Sequence, residues 1–89
     1  MRVLKFGAVW CPGCIIMRPR WKEIEEENLW LNTEYYDYDE EEEIAKKWDV
    51  TSILPVFIFL DNNNKEVIRL NGEQSKKNLL ELINKYKDI

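Results

Sequence analysis

The spacing of apolar residues changes period several times along the chain. Arg2 to Ala8 sets Val3, Leu4 and Phe6 among small and charged residues, which predicts a short strand running straight into Cys11. From there Cys14, Met17, Trp21 and Ile24 recur at spacings of three, four and three, an apolar stripe of helical period. Pro12 belongs in the first turn of this helix, where a missing N–H is tolerated, whereas Pro19 lies inside it, off the stripe, and is expected to bend it. Thr33 to Tyr38 reads as a second strand. Asp39, with Glu42 three residues later, reads as the N-cap and acidic first turn of a short helix through Ile44, Ala45 and Trp48. Val56 to Leu60 is an unbroken apolar strand, Asp61 to Asn64 a turn, and Glu66 to Leu70 an alternating fourth strand, which together make a hairpin. Ser75 then caps a last helix that sets Leu79, Leu82, Ile83 and Tyr86 on one face.

The order β-α-β-α-β-β-α predicts an α/β fold. Its strand–helix–strand start calls for a right-handed parallel crossover, and the later hairpin adds antiparallel strands, giving a mixed four-stranded sheet flanked by helices. With 89 residues, positions 1–89 form a single domain with room for one core, and no internal repeat or linker divides it.

Composition narrows the function. A hydrophobic content of 45% suits a globular protein rather than a disordered one. The 17 acidic residues outnumber 13 basic ones and cluster in Glu25–Glu27 and Asp39–Glu43, while the basic residues are scattered. No positive stripe attracts phosphates, so nucleic acid is not an expected partner. The acidic runs read as solvated helix faces ahead of a surface for a basic partner. No secretory segment follows Met1, and the longest apolar run, Ile53 to Leu60, contains a proline and falls far short of the roughly 20 residues of a membrane helix. A cytoplasmic protein with no membrane contact is expected. The absence of histidine removes Ser-His-Asp and Cys-His machinery and every histidine-containing zinc site.

Both cysteines lie in Cys11-Pro12-Gly13-Cys14, between a strand and a helix. Three chemistries compete for the pair. Tetrahedral zinc or an iron–sulfur cluster needs four soft ligands, so two thiols would require a second chain or an added thiol. A structural bridge over such a short loop restrains the unfolded chain weakly. Dithiol–disulfide exchange needs one low-pKa thiolate and a second thiol close by, which this spacing supplies, and it outweighs the other two. Cys11 falls at the helix N-cap, where free N–H groups and the helix dipole stabilise an anion, and is expected to be the nucleophile. Cys14 lies on the apolar stripe, faces inward and is expected to resolve the mixed disulfide. No metal or cofactor is expected.

Several residues together resemble the thioredoxin family over nearly the whole chain. Trp10-Cys11-x-x-Cys14 is similar to that family's Trp-Cys-x-x-Cys motif, Phe6 and Ala8 match the preceding strand, and Pro19 stands where the family kinks its helix. Asp39 and Ala45 fit the next strand end and helix. Leu54-Pro55 ahead of Val56-Phe57-Ile58-Phe59 resembles the family's cis-proline step, and Gly72-x-x-Ser75-Lys76-x-x-Leu79 its C-terminal signature. The resemblance implies a minimal thioredoxin fold with a cis Pro55, a Leu54 backbone that pairs with an extended substrate, and Trp10 and Gly72 bordering the same groove. It implies a monomeric thiol–disulfide oxidoreductase that reduces protein disulfides, with disulfide-containing proteins as substrates and a thioredoxin reductase or similar donor as partner. A glutaredoxin-like carrier recharged by glutathione and a non-catalytic binding subunit on the same fold are the alternatives.

The departures from the family carry information too. The chain is shorter and begins at the active-site strand. Pro12-Gly13 inverts the thioredoxins' Gly-Pro and is more like glutaredoxin, but Asn71–Ser75 lacks the paired glycines and aspartates with which glutaredoxins hold glutathione. Gly7 replaces a tryptophan and is expected to leave space beside the active site. Lys5 stands where thioredoxins carry an aspartate. It either snorkels to water without a role or tunes the thiol pKa values, as an ammonium beside the thiolates or as a desolvated base. Trp21, Trp30, Trp48, Tyr35, Tyr36 and Tyr38 are assigned to core and edge packing.

Overall fold

A computed structural model describes all residues from Met1 to Ile89. The elements run β1 (Arg2–Gly7), α1 (Pro12–Glu27), β2 (Asn32–Asp37), α2 (Glu42–Lys47), β3 (Val56–Leu60), β4 (Glu66–Asn71) and α3 (Lys76–Tyr86), in the order expected from the sequence. They build a four-stranded sheet of order β2-β1-β3-β4. β1 and β2 are parallel, joined through α1, whereas β3 runs antiparallel to both β1 and β4.

Helices cover both faces, which explains why β3 is apolar at every position. Alternation sends Val3, Phe57 and Phe59 to one face, where they pack with Met17, Trp21 and Ile24 of α1 and Leu79 and Ile83 of α3. Leu4, Phe6, Val56, Ile58 and Leu60 point to the other face, against Ala45 of α2 and Val50. Each of these larger side chains contributes about 1.5–3 kcal/mol by leaving water. The same alternation decides the site, because Lys5 and Gly7 share the face of Val3 and therefore look toward α1.

α1 buries Cys14, Met17, Trp21 and Ile24, the stripe read from the sequence, and runs uninterrupted through the exposed Pro19. Ser75 Oγ accepts the Asn78 N–H at 3.0 Å and caps α3. In the β3–β4 turn the Asp61 carboxylate accepts the N–H groups of Asn63 (2.7 Å) and Lys65 (3.0 Å), and Asn64 takes a positive φ of 61°.

Several expectations need correction. β1 and β2 each end one residue early, at Gly7 and Asp37, and the Tyr38 N–H then donates to the Gly7 carbonyl at 2.7 Å. Asp39 does not cap α2, whose N-cap is Glu41 and receives no side-chain cap. Asp37 is the turn-forming acid instead, its carboxylate accepting the N–H groups of Asp39 (2.9 Å) and Glu40 (3.1 Å), which delays the helix. Trp30 sits in a turn and is 50% exposed rather than packed, and Tyr35 is also exposed, while Trp21, Tyr36, Tyr38 and Trp48 pack into the apolar clusters that the sheet separates on its two faces, where one core was expected. The acidic run at the end of α1 is not simply solvated. Glu23 and Glu27 both pair with Lys76, tying α1 to α3, and Glu25 turns toward β1.

Candidate active site

Cys11 holds the N-cap of α1 in an extended backbone conformation (φ −92°, ψ 111°), and Pro12 opens the helix. Its Sγ accepts the Cys14 N–H at 3.2 Å, one of the otherwise unpaired donors of the first turn. The positive end of the helix dipole therefore lies at Cys11 and not at Cys14. The two cysteines are disulfide-linked, with Cα atoms 5.2 Å apart. They are almost equally buried, at 4% and 6% exposure, so helix position and not accessibility distinguishes them. Ala8 packs with both, and Tyr38 and Leu54 flank this cluster.

The Leu54–Pro55 peptide bond is cis. A β-carbon on Gly13 would lie 3.2 Å from Pro55 Cδ and 3.6 Å from Glu73 Cγ, so the glycine of the Pro-Gly dipeptide lets the proline ring seat on the start of α1. From the other side the Gly72 N–H donates to the Pro55 carbonyl at 2.8 Å. Gly72 has φ +84°, a conformation that disfavours any residue with a β-carbon. Trp10 is 52% exposed, and its Nε1–H donates to Asp39 Oδ2 at 2.7 Å, which ties the indole to the β2–α2 turn. Val9, Ile15 and Ile53 are exposed apolar residues next in sequence to Trp10, Cys14 and Leu54. The site thus gathers a disulfide-linked cysteine pair, a cis proline and apolar surface.

A cavity of about 320 Å³ lies beside Cys14, lined among others by Lys5, Gly7, Trp21, Glu25 and Tyr35. Lys5 is neither free at the surface nor directed at the sulfurs. Its Nζ donates to Glu25 Oε2 at 2.6 Å and lies 5.6 Å from the Trp21 ring centre. Glu25 also accepts from Thr33 Oγ1 at 2.8 Å. The space expected beside Gly7 is shared with the Tyr35 ring, whose hydroxyl would lie 3.0 Å from a β-carbon on that glycine.

The sequence reading missed Glu25, Tyr35 and the Trp10–Asp39 bond. Glu25 lies four residues beyond Trp21, so the helical stripe could have found it. Tyr35 depends on the parallel register that sets Lys5 opposite Tyr35, which is a tertiary fact.

The Thioredoxin family model matches residues 1–85. The chain is 31% identical over 84 residues to thioredoxin of Chlamydia pneumoniae, covering 94% of this chain and 80% of that one. It is 33% identical over 63 residues to a thioredoxin H-type of Brassica campestris, covering 71% of this chain. The X-ray structure of Fasciola hepatica thioredoxin superposes with a TM-score of 0.86 at 32% identity, covering 96% of this chain and 79% of that one. The chain spans about half the length of several curated relatives that it matches, 50% in the Brassica protein and 53% in thioredoxin-1 of Caenorhabditis elegans.

Proposed function

The chain belongs to the thioredoxin family, and from that premise we propose that it is a thiol–disulfide oxidoreductase reducing protein disulfides through a reversible Cys11–Cys14 couple. The observation that carries this reading is Cys11 at the N-cap of α1, accepting the Cys14 N–H at 3.2 Å, with its disulfide partner one turn on. In the reduced protein the Cys11 thiolate attacks a substrate disulfide, forming a mixed disulfide and releasing one substrate sulfur as a thiolate that takes up a proton. Cys14 then loses its proton and attacks Cys11 Sγ, so that the second substrate sulfur leaves and the Cys11–Cys14 bond closes.

The groove for the substrate is assigned to Trp10, the Leu54 backbone, Pro55 and Gly72. Pro12 and Gly13 shape the rim, with Gly13 making room for Pro55. The exposed Val9, Ile15 and Ile53 favour an extended protein segment over a small polar molecule. The couple needs an external reductant after each turnover, so a thioredoxin reductase or a donor of similar chemistry is the assigned partner. A monomer working in the reducing cytoplasm completes this reading.

Turnover of a protein disulfide such as that of insulin, driven by dithiothreitol, tests it. Wild-type protein should accelerate the reduction, Cys11→Ser should abolish it, and Cys14→Ser should accumulate a mixed disulfide visible by intact mass. Recharging by glutathione at rates equal to those of a thioredoxin reductase would turn the reading toward a glutaredoxin-like carrier. Unchanged partner binding by a Cys11→Ser, Cys14→Ser variant without any catalysis by wild type would turn it toward a binding subunit.

A further inference from the structure

The resolving step requires Cys14 to give up a proton inside the cavity beside α1. The ionisable groups lining that cavity are Lys5 from β1, Tyr35 from β2, and Arg18, Lys22 and Glu25 from α1; Phe57 of β3 and the preceding Pro55 carry no charge. Arg18 and Lys22 stand on the exposed side of α1. Lys5 Nζ donates to Glu25 Oε2 at 2.6 Å and Thr33 Oγ1 donates to the same oxygen at 2.8 Å, so Lys5 is paired in the cavity wall and Glu25 is an acceptor, not a donor. The Tyr36 hydroxyl is likewise committed, to Glu34 at 2.6 Å. The Tyr35 hydroxyl, Arg18 and Lys22 make no hydrogen bond within the protein, and of the three only the Tyr35 hydroxyl comes to Gly7, next to Cys14 Sγ.

Its position follows from Gly7. A β-carbon there would stand 3.0 Å from Tyr35 Oη and 3.3 Å from Cys14 Sγ, so the hydroxyl and the sulfur both border the space over the glycine. A larger residue at position 7 would press on both. The parallel register explains the approach, because Tyr35 lies opposite Lys5 and its long side chain reaches up the sheet to Gly7.

We infer that the Tyr35 hydroxyl donates a hydrogen bond to the Cys14 thiolate in the resolving step, an assignment that rests on the exchange chemistry proposed above. The Cys14 proton passes to solvent at the cavity mouth, the thiolate attacks Cys11 Sγ, and the bond from Cys11 to the substrate sulfur breaks. That sulfur leaves with the electron pair and takes a proton from solvent, so the substrate is reduced and the cysteine pair oxidised. Tyr35 keeps its own proton throughout. Its contribution is to favour the charged form of Cys14 at the moment of attack.

Reduced protein mixed with an equimolar amount of dithiobis-nitrobenzoate separates the steps. The first thionitrobenzoate is released in a bimolecular phase as Cys11 attacks, and the second in a concentration-independent phase as Cys14 displaces it. In Tyr35→Phe the second phase should slow about three- to tenfold below its pH midpoint, the size of one charge-assisted hydrogen bond in a half-exposed site, and the midpoint should move up. The first phase should keep its rate. An unchanged second phase and midpoint in Tyr35→Phe overturns the assignment, as does an equal slowing of both phases with no change of midpoint. Absence of a second phase in the wild type overturns the exchange reading itself, a result distinguishable from either.

Discussion

Gly13 and Gly72 flank the same proline for different reasons. Gly72 is needed for its backbone, and an alanine at φ +84° carries a penalty of about 1–2 kcal/mol. Gly72→Ala should therefore lower the free energy of urea unfolding by about that amount, although no neighbouring atom lies within 4 Å of the added methyl. Gly13 is needed for space, since its β-carbon would press on the rigid Pro55 ring at 3.2 Å. Gly13→Ala should slow exchange with protein disulfides more than it lowers stability, which paired insulin-reduction and thermal-melting measurements would check. The distinction was invisible in the sequence, where both are glycines near a motif. Cys11 and Cys14 were legible because an N-cap and an apolar stripe are local properties. Lys5 was half legible: the sequence showed its unusual charge, but its partner Glu25 is twenty positions away across the sheet face.

Elements were read well wherever one local rule acted alone. α3 has a serine cap and one apolar face, and Ser75→Ala should cost about 1 kcal/mol of stability by denaturant titration. The β3–β4 turn depends on Asp61, whose carboxyl is held below its usual range first by the hydrogen bond from the Lys65 N–H, and also by that from Asn63. A lowered folded-state pKa stabilises the fold above the ordinary carboxylate range, and this advantage is lost as pH falls through the lowered value. The melting temperature of Asp61→Ala should therefore lie below that of wild type at neutral pH, and the gap should close in acid. A gap independent of pH would assign the turn's stability to something other than this charge. α2 was misread because two acids competed for its start. Asp39 had the spacing of an N-cap, but Asp37 at the strand end captured the backbone N–H groups first and left Asp39 to Trp10.

At the scale of the molecule, a sheet covered on both faces buries apolar side chains drawn from both ends of the chain. Ile83 is fully buried between α3 and the sheet, and Ile83→Ala should cost about 2–5 kcal/mol. That is a large fraction of the roughly 5–15 kcal/mol typical of a whole domain, so the variant should unfold at markedly lower urea concentration. The element order and the mixed sheet were legible because local patterning and connection rules predict them, whereas the strand order and the cavity beside Cys14 were not, the cavity because β1, β2, β3 and α1 all contribute to it. The fold holds the two cysteines at the start of α1, with Gly13 between them in sequence backing onto the cis Pro55, and the central claim is that this arrangement is a working redox couple. Equilibration of the protein in graded dithiothreitol and glutathione buffers, followed by thiol alkylation and intact mass, tests that claim most directly. The account predicts one reversible two-electron step converting the Cys11–Cys14 bridge to two thiols between about −300 and −200 mV. A pair that never forms the bridge, or a bridge that these buffers cannot open, would contradict it.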